Sequence, residues 1–365
     1  MNKWIKKGLL ALLLLFGIAT LSGCRSFPWE ETGFTPPEPI QVDTMPVAVG
    51  DGFILMENGD LWTWGFRNPP SFGWAHLAPA LTMEGVLAVS TGLNHAIVIK
   101  SDGTAWQWGD NRWTRRWYSH DPIHVMDDVI NICSNFRSLA VTSDGNLWEW
   151  GRLMDDNTYF LSTPEQIMSD VIAVTGHGSE HRAAIRSDNT LWHWSDVDTP
   201  GTQIMEDVVS MALGLRRTMA ITSDGTLWAW GLNDRGQLGD DTTTDRNQPV
   251  QIMTDVVAVA AGNRSTLALT SDGTLWAWGS NSNGQLGDGT RYTRHSPVRI
   301  MDNVVYVFAA NAHSMAITSD GSVWAWGSNS SGELGIGSTR GAWQVDSPQN
   351  PASAWLSPIL VMVYK

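Results

Sequence analysis

A pair of tryptophans separated by one residue recurs seven times, and this repeat limits the possible folds more than any other feature of the sequence. Glycine follows the second tryptophan in six of the seven copies. The first tryptophans of successive copies lie 44, 42, 44, 36, 48 and 48 residues apart, so one array fills residues 45–365 and leaves no room for a second folded domain. The pairs are Trp62 and Trp64, Trp106 and Trp108, Trp148 and Trp150, Trp192 and Trp194, Trp228 and Trp230, Trp276 and Trp278, and Trp324 and Trp326.

Each copy has the pattern of short β-strands joined by tight turns. In the sixth copy, the β-prone runs 256–261 and 266–270 precede Asp272-Gly273 and the run 275–278. Asp-Gly between such runs predicts a two-residue hairpin turn in which both central residues have positive φ. We therefore interpret these acids as turn formers and not as general acids. The turn recurs at Asp102-Gly103, Asp144-Gly145, Asp224-Gly225 and Asp320-Gly321, and Asn58-Gly59 and Asp188-Asn189 replace it in the other two copies.

The spacing of the tryptophans also predicts how the sheets pack. Side chains alternate between the two faces of a strand, so Trp276 and Trp278 share one face while Leu275 and Ala277 share the other. A single small sheet cannot cover its own bulky face. Radially arranged sheets can, because each lays bulky side chains against the small ones of its neighbour. The fourteen tryptophans are therefore the predicted structural core.

The combined pattern resembles a known repeat family. The motif S-D-G-x-[LV]-W-x-W-G, followed by N-x-x-G-[QE]-L-G, is similar to the repeats of the regulator of chromosome condensation family. The second motif occurs at residues 233–239, 281–287 and 329–335, whereas the first four copies lack it and are shorter. The resemblance implies an all-β, seven-bladed β-propeller over residues 45–365, in which the two ends of the chain close the ring together.

The N-terminal segment has the pattern of a lipoprotein export signal. Three lysines precede an apolar run over residues 8–19, and Leu21-Ser22-Gly23-Cys24 follows. This ending resembles a bacterial lipobox, whose cysteine is lipidated and becomes the first residue of the mature chain. We expect residues 1–23 to be a signal peptide and Cys24 to anchor an exported protein to the bacterial membrane, facing outside the cytoplasm. An uncleaved signal anchor is the alternative, although the apolar run is short for a bilayer span.

Residues 24–44 have the composition of an extended tether. They contain four prolines and three glutamates, which favour a semi-stiff spacer over a packed element. Trp29 and Phe34 could instead dock on the folded domain or at the membrane interface.

Charge and cysteine content exclude several classes of protein. Lys plus Arg is 23 against 37 for Asp plus Glu, a net charge of -14, so nucleic acid is not an expected partner. Two cysteines cannot form a disulfide framework. Cys133 aligns with the small residue Ala260 of a later copy and is interpreted as a core thiol.

The segment after the second tryptophan differs between copies, and this variation is typical of a recognition surface. Arginines and aromatic residues concentrate there in an otherwise acidic chain, and such residues dominate interface energetics. Equivalent loops of a propeller lie on one rim. Covering of blade edges, and filling of gaps left by the missing N-x-x-G-[QE]-L-G motif, is an equally weighted alternative. The candidate partner-binding residues are Arg112, Trp113, Arg115, Arg116, Trp117 and Tyr118 of the second copy, Phe72 and Trp74 of the first, Tyr159 of the third, Tyr292 of the sixth and Trp343 of the seventh.

One motif imitates a metalloprotease site. Residues 177–181 read H-G-S-E-H, which matches the H-x-x-E-H pattern of inverted zincins. That pattern requires a helix, whereas this segment falls in a predicted loop between strands, at the repeat position that His95 and His313 also occupy. The family resemblance implies a structural role for a histidine there. We interpret His193, between two tryptophans, as a partly exposed strand residue.

These observations favour a non-catalytic, surface-tethered binding module that recognises an extracytoplasmic protein through loops on one propeller face. No catalytic residue, metal ligand or cofactor is expected. Glycan or cell-wall binding by the same aromatic residues is the alternative. Guanine nucleotide exchange, the activity for which the family is named, is a remote one. The family includes a secreted β-lactamase inhibitory protein of similar architecture, but no loop residue here identifies that target.

Overall fold

The computed structural model describes residues 39–64, 78–92, 95–109, 119–135, 137–151, 163–178, 181–194, 201–330, 332–336 and 356–364. These residues form seven sheets, and they contain no α-helix. Six sheets have four strands and the seventh has five, which gives the predicted all-β, seven-bladed β-propeller.

Each blade is built from consecutive strands. The first three blades comprise β2 Pro46–Gly50, β3 Phe53–Met56, β4 Leu61–Thr63 and β5 Ala80–Met83; β6 Val86–Thr91, β7 His95–Lys100, β8 Ala105–Gly109 and β9 Ser119–Met126; and β10 Val129–Ser134, β11 Ser138–Thr142, β12 Leu147–Trp150 and β13 Glu165–Met168. The fourth and fifth comprise β14 Val171–His177, β15 His181–Arg186, β16 Leu191–Trp194 and β17 Thr202–Met205; and β18 Val208–Gly214, β19 Arg217–Thr222, β20 Leu227–Gly231 and β21 Arg246–Met253. The sixth comprises β22 Val256–Ala261, β23 Ser265–Thr270, β24 Leu275–Gly279 and β25 Arg294–Met301, and the seventh contains β26 Val304–Ala309, β27 His313–Thr318, β28 Val323–Gly327 and β29 Ile359–Tyr364.

The first strand of each blade lies nearest the centre of the ring. Consecutive first strands contact one another, from β6 through β10, β14, β18 and β22 to β26, and β26 in turn contacts β2 of the first blade. The sheets are therefore arranged radially.

The first and the last described strands both lie in the seventh blade. The C-terminal strand β29 completes the blade, and β1 Ile40–Val42 pairs with it in parallel, with Ile40 opposite Met362. The expectation that the tether extends to residue 44 is corrected at this point, because Ile-Gln-Val is a β-prone run that satisfies the open edge of β29.

Each blade packs its tryptophans on the preceding blade. Trp278 is fully buried beside Met219 and Ile221 of the fifth blade, and Trp276 packs partly buried against the same cluster. Ala277, on the opposite face of the strand, packs towards Trp326 of the seventh blade. The second tryptophan is buried in five blades and the first is half-buried in all seven. Trp230 is half-buried, and the side chain of Trp108 lies outside the described residues.

The Asp-Gly turns differ from the expected two-residue form. In the sixth blade Gly273 N donates to Thr270 O at 2.9 Å, and only Gly273, at φ 82°, has positive φ. The carboxylate of Asp272 accepts the Thr274 backbone N–H at 3.0 Å. The turn is therefore a longer one closed by a left-handed glycine, and the aspartate stabilises it through its side chain rather than through an unusual φ.

Candidate binding face

The seven variable segments begin and end at the same edge of their blades. Each leaves the third strand of a blade and returns at the start of the fourth, as residues 232–245 do between β20 and β21. The link from the first strand to the second reaches the same edge. We call the side of the ring formed by these segments and links the loop face.

A cavity of about 580 Å³ lies at the centre of the loop face. All seven blades line it, where their first strands end and their second strands begin. One lining residue from each blade, in order, is Asp51, Thr91, Asn135, His177, Arg216, Asn263 and Asn311. The centre of this face is therefore concave, and both polar and apolar residues line it.

In the fifth blade, the N-x-x-G-[QE]-L-G motif folds on itself around a buried asparagine. Asn233 Nδ2 donates to Asp240 at 2.9 Å, and Asn233 Oδ1 accepts the Leu238 backbone N–H at 3.0 Å. Burial alone would raise the pKa of Asp240, but hydrogen bonds from Thr242, Arg246 and Asn233 outweigh it and hold that pKa below its usual value. The sixth blade repeats this arrangement around Asn281.

The same motif joins one blade to the next. The Gln237 carbonyl accepts the Trp278 indole N–H at 3.0 Å and the Thr266 hydroxyl at 2.8 Å, both from the following blade. Leu238 is fully buried between Ala229 and Trp278. In the seventh blade the Glu333 carbonyl accepts the Trp64 indole N–H at 2.8 Å, which connects the last blade to the first. The motif is therefore a structural element at the blade interfaces.

In the second blade, which lacks the motif, a residue of the third strand accepts the corresponding hydrogen bonds. The residue between the two tryptophans is alanine in the last three blades, but Thr63, Gln107, Glu149 and His193 in the first four. Gln107 Oε1 accepts the Trp150 indole N–H at 2.7 Å and the Ser138 hydroxyl at 3.3 Å. The Gln107 side chain thus accepts hydrogen bonds from the same two repeat positions of the following blade as the Gln237 carbonyl does in the fifth blade.

Glu149 occupies the corresponding place between the third and fourth blades. Its carboxylate is buried and contacts the guanidinium groups of Arg137 at 2.8 Å and Arg182 at 3.4 Å. Trp194 Nε1, the corresponding indole, is buried and has no hydrogen-bond partner among the described residues. Sequence patterns do not predict the contact between Glu149 and Arg182, because these residues belong to different blades.

Histidines connect neighbouring blades around the cavity. His95 Nε2 lies 3.0 Å from the Ser138 hydroxyl, and His181 Nε2 lies 3.2 Å from the Thr218 hydroxyl. Burial lowers the pKa of His95 and of His181 to about 4, so both are neutral at pH 7. Arg217 replaces the histidine in the fifth blade and donates to the backbone carbonyl groups of Gly262, Asn263 and Ser265.

The H-x-x-E-H segment is the end of a hairpin. His177 is the last residue of β14 and His181 is the first residue of β15, and the two residues pair opposite each other in the antiparallel sheet. Both histidines are therefore strand residues rather than loop residues. The His181 ring contacts the half-buried ring of His193, with centroids 4.8 Å apart. No group of metal-ligating side chains occurs among the described residues. Burial raises the pKa of the free thiol of Cys133 to about 11.

Tyr292 is the one candidate partner-binding residue that the structure describes. Its side chain is 74% exposed on the loop face, three residues after Gly289. Arg294 nearby is ion-paired with Asp288 at 2.7 Å. The other candidates lie outside the described residues: Phe72, Trp74, Arg112, Trp113, Arg115, Arg116, Trp117, Tyr118, Tyr159 and Trp343. Cys24 also lies outside them, and no helix among the described residues is long and apolar enough to cross a membrane.

The seven radial sheets, and the N-x-x-G-[QE]-L-G motif that joins the last blades to their neighbours, define the class of protein: a seven-bladed β-propeller built from sequence repeats. The family described as "Regulator of chromosome condensation (RCC1) repeat" matches residues 224–269, 272–317 and 320–354, and a second description of the same repeat matches residues 208–237, 256–285 and 304–333. Residues 208–354 thus consist of repeats of the RCC1 family. Propellers of this family are generally protein-binding modules without catalytic activity.

Solved structures show the same fold over most of the chain. Prp20p from Saccharomyces cerevisiae, described with its binding to Gsp1p and histones, is 17% identical over 87% of both chains, with a TM-score of 0.69. Human WBSCR16 is 18% identical over 83% of this chain and 94% of its own, with a TM-score of 0.67. Among proteins with curated functions, none matches this chain by sequence.

Proposed function

We propose that the protein is a membrane-tethered, non-catalytic binding module that recognises an extracytoplasmic protein through its loop face. The proposal rests on how the second blade, which lacks the N-x-x-G-[QE]-L-G motif, satisfies the tryptophan of the third blade. In the second blade Gln107 accepts the Trp150 indole N–H that the motif would accept. The variable segment of that blade is thus not needed to satisfy the neighbouring tryptophan, which favours recognition over gap filling.

The composition of that segment supports a protein partner. Residues 111–120 contain three arginines and three aromatic residues, whereas the chain has a net charge of -14. Arg, Trp and Tyr are the residue types that contribute most to protein–protein affinity. The segment follows β8, whose end lies on the loop face, so a partner bound by it would approach the propeller from this face.

The lipobox-like ending at Cys24 supports tethering. Lipidation there would place the propeller at a membrane surface beyond the spacer. We expect wild-type protein to partition with membranes and to incorporate radiolabelled fatty acid, and Cys24→Ser to do neither. A Cys24→Ser protein that remains as membrane-bound as wild type would contradict the tether.

The partner can be sought by capture from cell-envelope extracts. Full-length protein serves as bait beside two variants: Trp113→Ala with Trp117→Ala on the loop face, and Leu81→Ala with Ile204→Ala on outer strands, where both residues are exposed. We expect the loop-face variant alone to lose a specific protein. Equal recovery of every protein by all three baits would overturn the loop-face assignment.

Ionic strength separates a protein partner from a glycan. Association steered by Arg115 and Arg116 slows as salt rises, because the Debye length falls from about 30 Å at 0.01 M to about 10 Å at 0.1 M. Stacking of aromatic rings on sugars is almost independent of salt. A salt-independent association rate with purified cell-wall material would favour the glycan alternative.

A further inference from the structure

The innermost strand of every blade carries a β-bulge at its second residue. In the sixth blade Val256 pairs with Thr270 and Ala258 pairs with Leu269, so Val257 has no partner across the strands. The same shift occurs in β2, β6, β10, β14, β18 and β26. A bulge of this kind re-aims a side chain relative to the regular sheet.

Backbone hydrogen bonds hold each bulge in place. Val256 N donates to the carbonyl of Gly225, the turn glycine of the preceding blade, at 2.9 Å. Asp255, at φ 61°, accepts the Ser271 backbone N–H at 2.8 Å. These bonds do not involve the side chain of the bulged residue. The fold therefore does not require that side chain to be apolar.

The bulged residues are nevertheless aliphatic in all seven blades, and in six of them they are between 42% and 55% exposed. Val47 of the first blade is the half-buried seventh. Because the innermost strands contact one another around the centre and each bulge lies near the start of its strand, these residues recur around the centre on the side opposite the loop face, and we call them the aliphatic ring. Aliphatic side chains exposed at the same position of every blade concentrate apolar surface on one side of the propeller, and such a concentration favours an interaction surface. The six exposed members are Leu87, Ile130, Ile172, Val209, Val257 and Val305.

Carboxylates surround the aliphatic ring. The Asp-Gly turns and the links between blades lie on this side, and every link from residue 84 to residue 303 carries at least one exposed Asp or Glu. Cations neutralise some of them, as Arg186 does for Asp170 at 3.2 Å. The Thr270 hydroxyl and the Thr274 backbone N–H hold the pKa of Asp272 below its usual value, so its charge persists in mildly acidic conditions.

We propose that the aliphatic ring is a docking site for a basic protein segment that carries aliphatic side chains between its lysines or arginines. The aliphatic side chains contact the ring and the cations contact the surrounding carboxylates. Charge complementarity selects this occupant, because the carboxylates repel an anionic membrane surface and nucleic acid. The site lies on the opposite side of the propeller from the loop face, and it does not depend on the function proposed above.

The probe is a fluorescein-labelled peptide of alternating leucine and lysine, titrated with full-length protein and followed by fluorescence anisotropy. A lysine-only peptide and vesicles of anionic phospholipid are compared with it. We expect the leucine–lysine peptide to bind more tightly than the lysine-only peptide, and vesicle binding, which a lipid at Cys24 can itself cause, to be the same for wild type and for the ring variant described next. We also expect the affinity of the leucine–lysine peptide to fall as salt rises.

The ring variant is Val209→Thr, Val257→Thr and Val305→Thr, which keeps β-branched side chains in exposed positions. Its matched control is Leu81→Thr with Ile204→Thr, which removes exposed aliphatic groups from outer strands. We expect the ring variant to lose at least about tenfold in affinity for the leucine–lysine peptide, equivalent to about 1.4 kcal/mol, and the control to lose nothing. Thermal melting checks that both variants fold, and the single variant Val257→Thr serves if the triple variant does not.

Charge is tested separately with Asp224→Asn, Asp272→Asn and Asp320→Asn. Asparagine forms the equivalent turn at Asn58-Gly59, so this variant keeps the turn while losing charge. It should bind the peptide more weakly and with less dependence on salt. Equal affinities of the ring variant and its control, or binding to anionic vesicles that the ring variant loses and its control keeps, would overturn the proposal. Trp113→Ala with Trp117→Ala should leave peptide affinity unchanged, which separates this result from the loop-face function.

Discussion

Gln107 of the second blade accepts the indole N–H of Trp150 of the third blade at 2.7 Å. Trp150 is buried, so its N–H has no access to water once the blades have packed. The same acceptor also takes the Ser138 hydroxyl at 3.3 Å. The Gln107 side chain therefore satisfies both donors at this blade interface. Between the fifth and sixth blades the backbone carbonyl of Gln237 accepts the equivalent two hydrogen bonds.

Removal of that acceptor should destabilise the propeller. We expect Gln107→Ala to lower the free energy of unfolding by roughly 1–3 kcal/mol, because a buried N–H is left without a partner. Urea denaturation followed by tryptophan fluorescence measures the change. Gln251→Ala, at an exposed position on β21, is the control and should change stability by less than about 0.5 kcal/mol. Equal losses in the two variants would show that the Gln107 hydrogen bond contributes nothing specific.

The buried ion pair between the third and fourth blades should behave as a coupled unit. Glu149→Ala leaves Arg182 buried without its carboxylate, and we expect a cost of about 3–5 kcal/mol. Glu149→Leu combined with Arg182→Leu should cost less than the sum of Glu149→Leu and Arg182→Leu made singly, since neither of these two buried charges is left without the other, while the partly exposed Arg137 is present in all four proteins of the cycle. A double-mutant cycle from urea denaturation measures the coupling, with Glu165→Ala on the exposed strand β13 as control. Strict additivity would argue against an energetic link between Glu149 and Arg182.

The sequence predicted the propeller because its strongest signal is local and repeated. Trp276 and Trp278 lie two residues apart, and this spacing alone determines that they share one face of a strand. The repetition then determines the number of blades. The alternation of bulky and small residues, with Ala277 facing the next blade, determines that the sheets pack radially.

Features that depend on the neighbouring blade could not be predicted in this way. Gln107 and Trp150 are 43 residues apart, and their contact depends on the radial packing of two sheets. The bulge at Val257 could not be predicted, because the apolar run 256–259 has the same pattern in a regular strand as in a bulged one. Ile40–Val42 follows a proline-rich segment, so its pairing with β29 was missed.

The buried histidines should make the protein sensitive to acid. Burial lowers the pKa of His95, His177 and His181 to about 4 in the folded protein, whereas an unfolded histidine titrates near 6.5. Below about pH 6.5 the unfolded chain therefore binds protons that the folded chain does not, and stability falls until the pH reaches about 4. Each histidine contributes at most about 1.4 kcal/mol per pH unit over this window.

Urea denaturation at pH values from about 7.5 to about 4 measures this dependence. We expect His95→Asn to be less stable than wild type at neutral pH but to show a shallower decline in acid, because one proton-binding difference is removed. Gln251→Asn, at an exposed position without a titrating side chain, should leave the slope unchanged. A wild-type free energy of unfolding that stays constant between pH 6.5 and pH 4 would contradict the buried, neutral state of these histidines.

The N-terminal strand should contribute to closure of the ring. Residues 40–42 pair with β29 in the seventh blade, and Val42 is 8% exposed. We expect a protein that begins at residue 45 to unfold with a free energy roughly 1–3 kcal/mol lower than one that begins at residue 36, because it loses the β1 hydrogen bonds and the burial of Val42. Val42→Thr should reproduce part of this loss, whereas Gln41→Thr, at an exposed position on the same strand, should not. Thermal melting of the four proteins measures the effect, and identical melting temperatures for the two shortened chains would show that β1 is dispensable for ring closure.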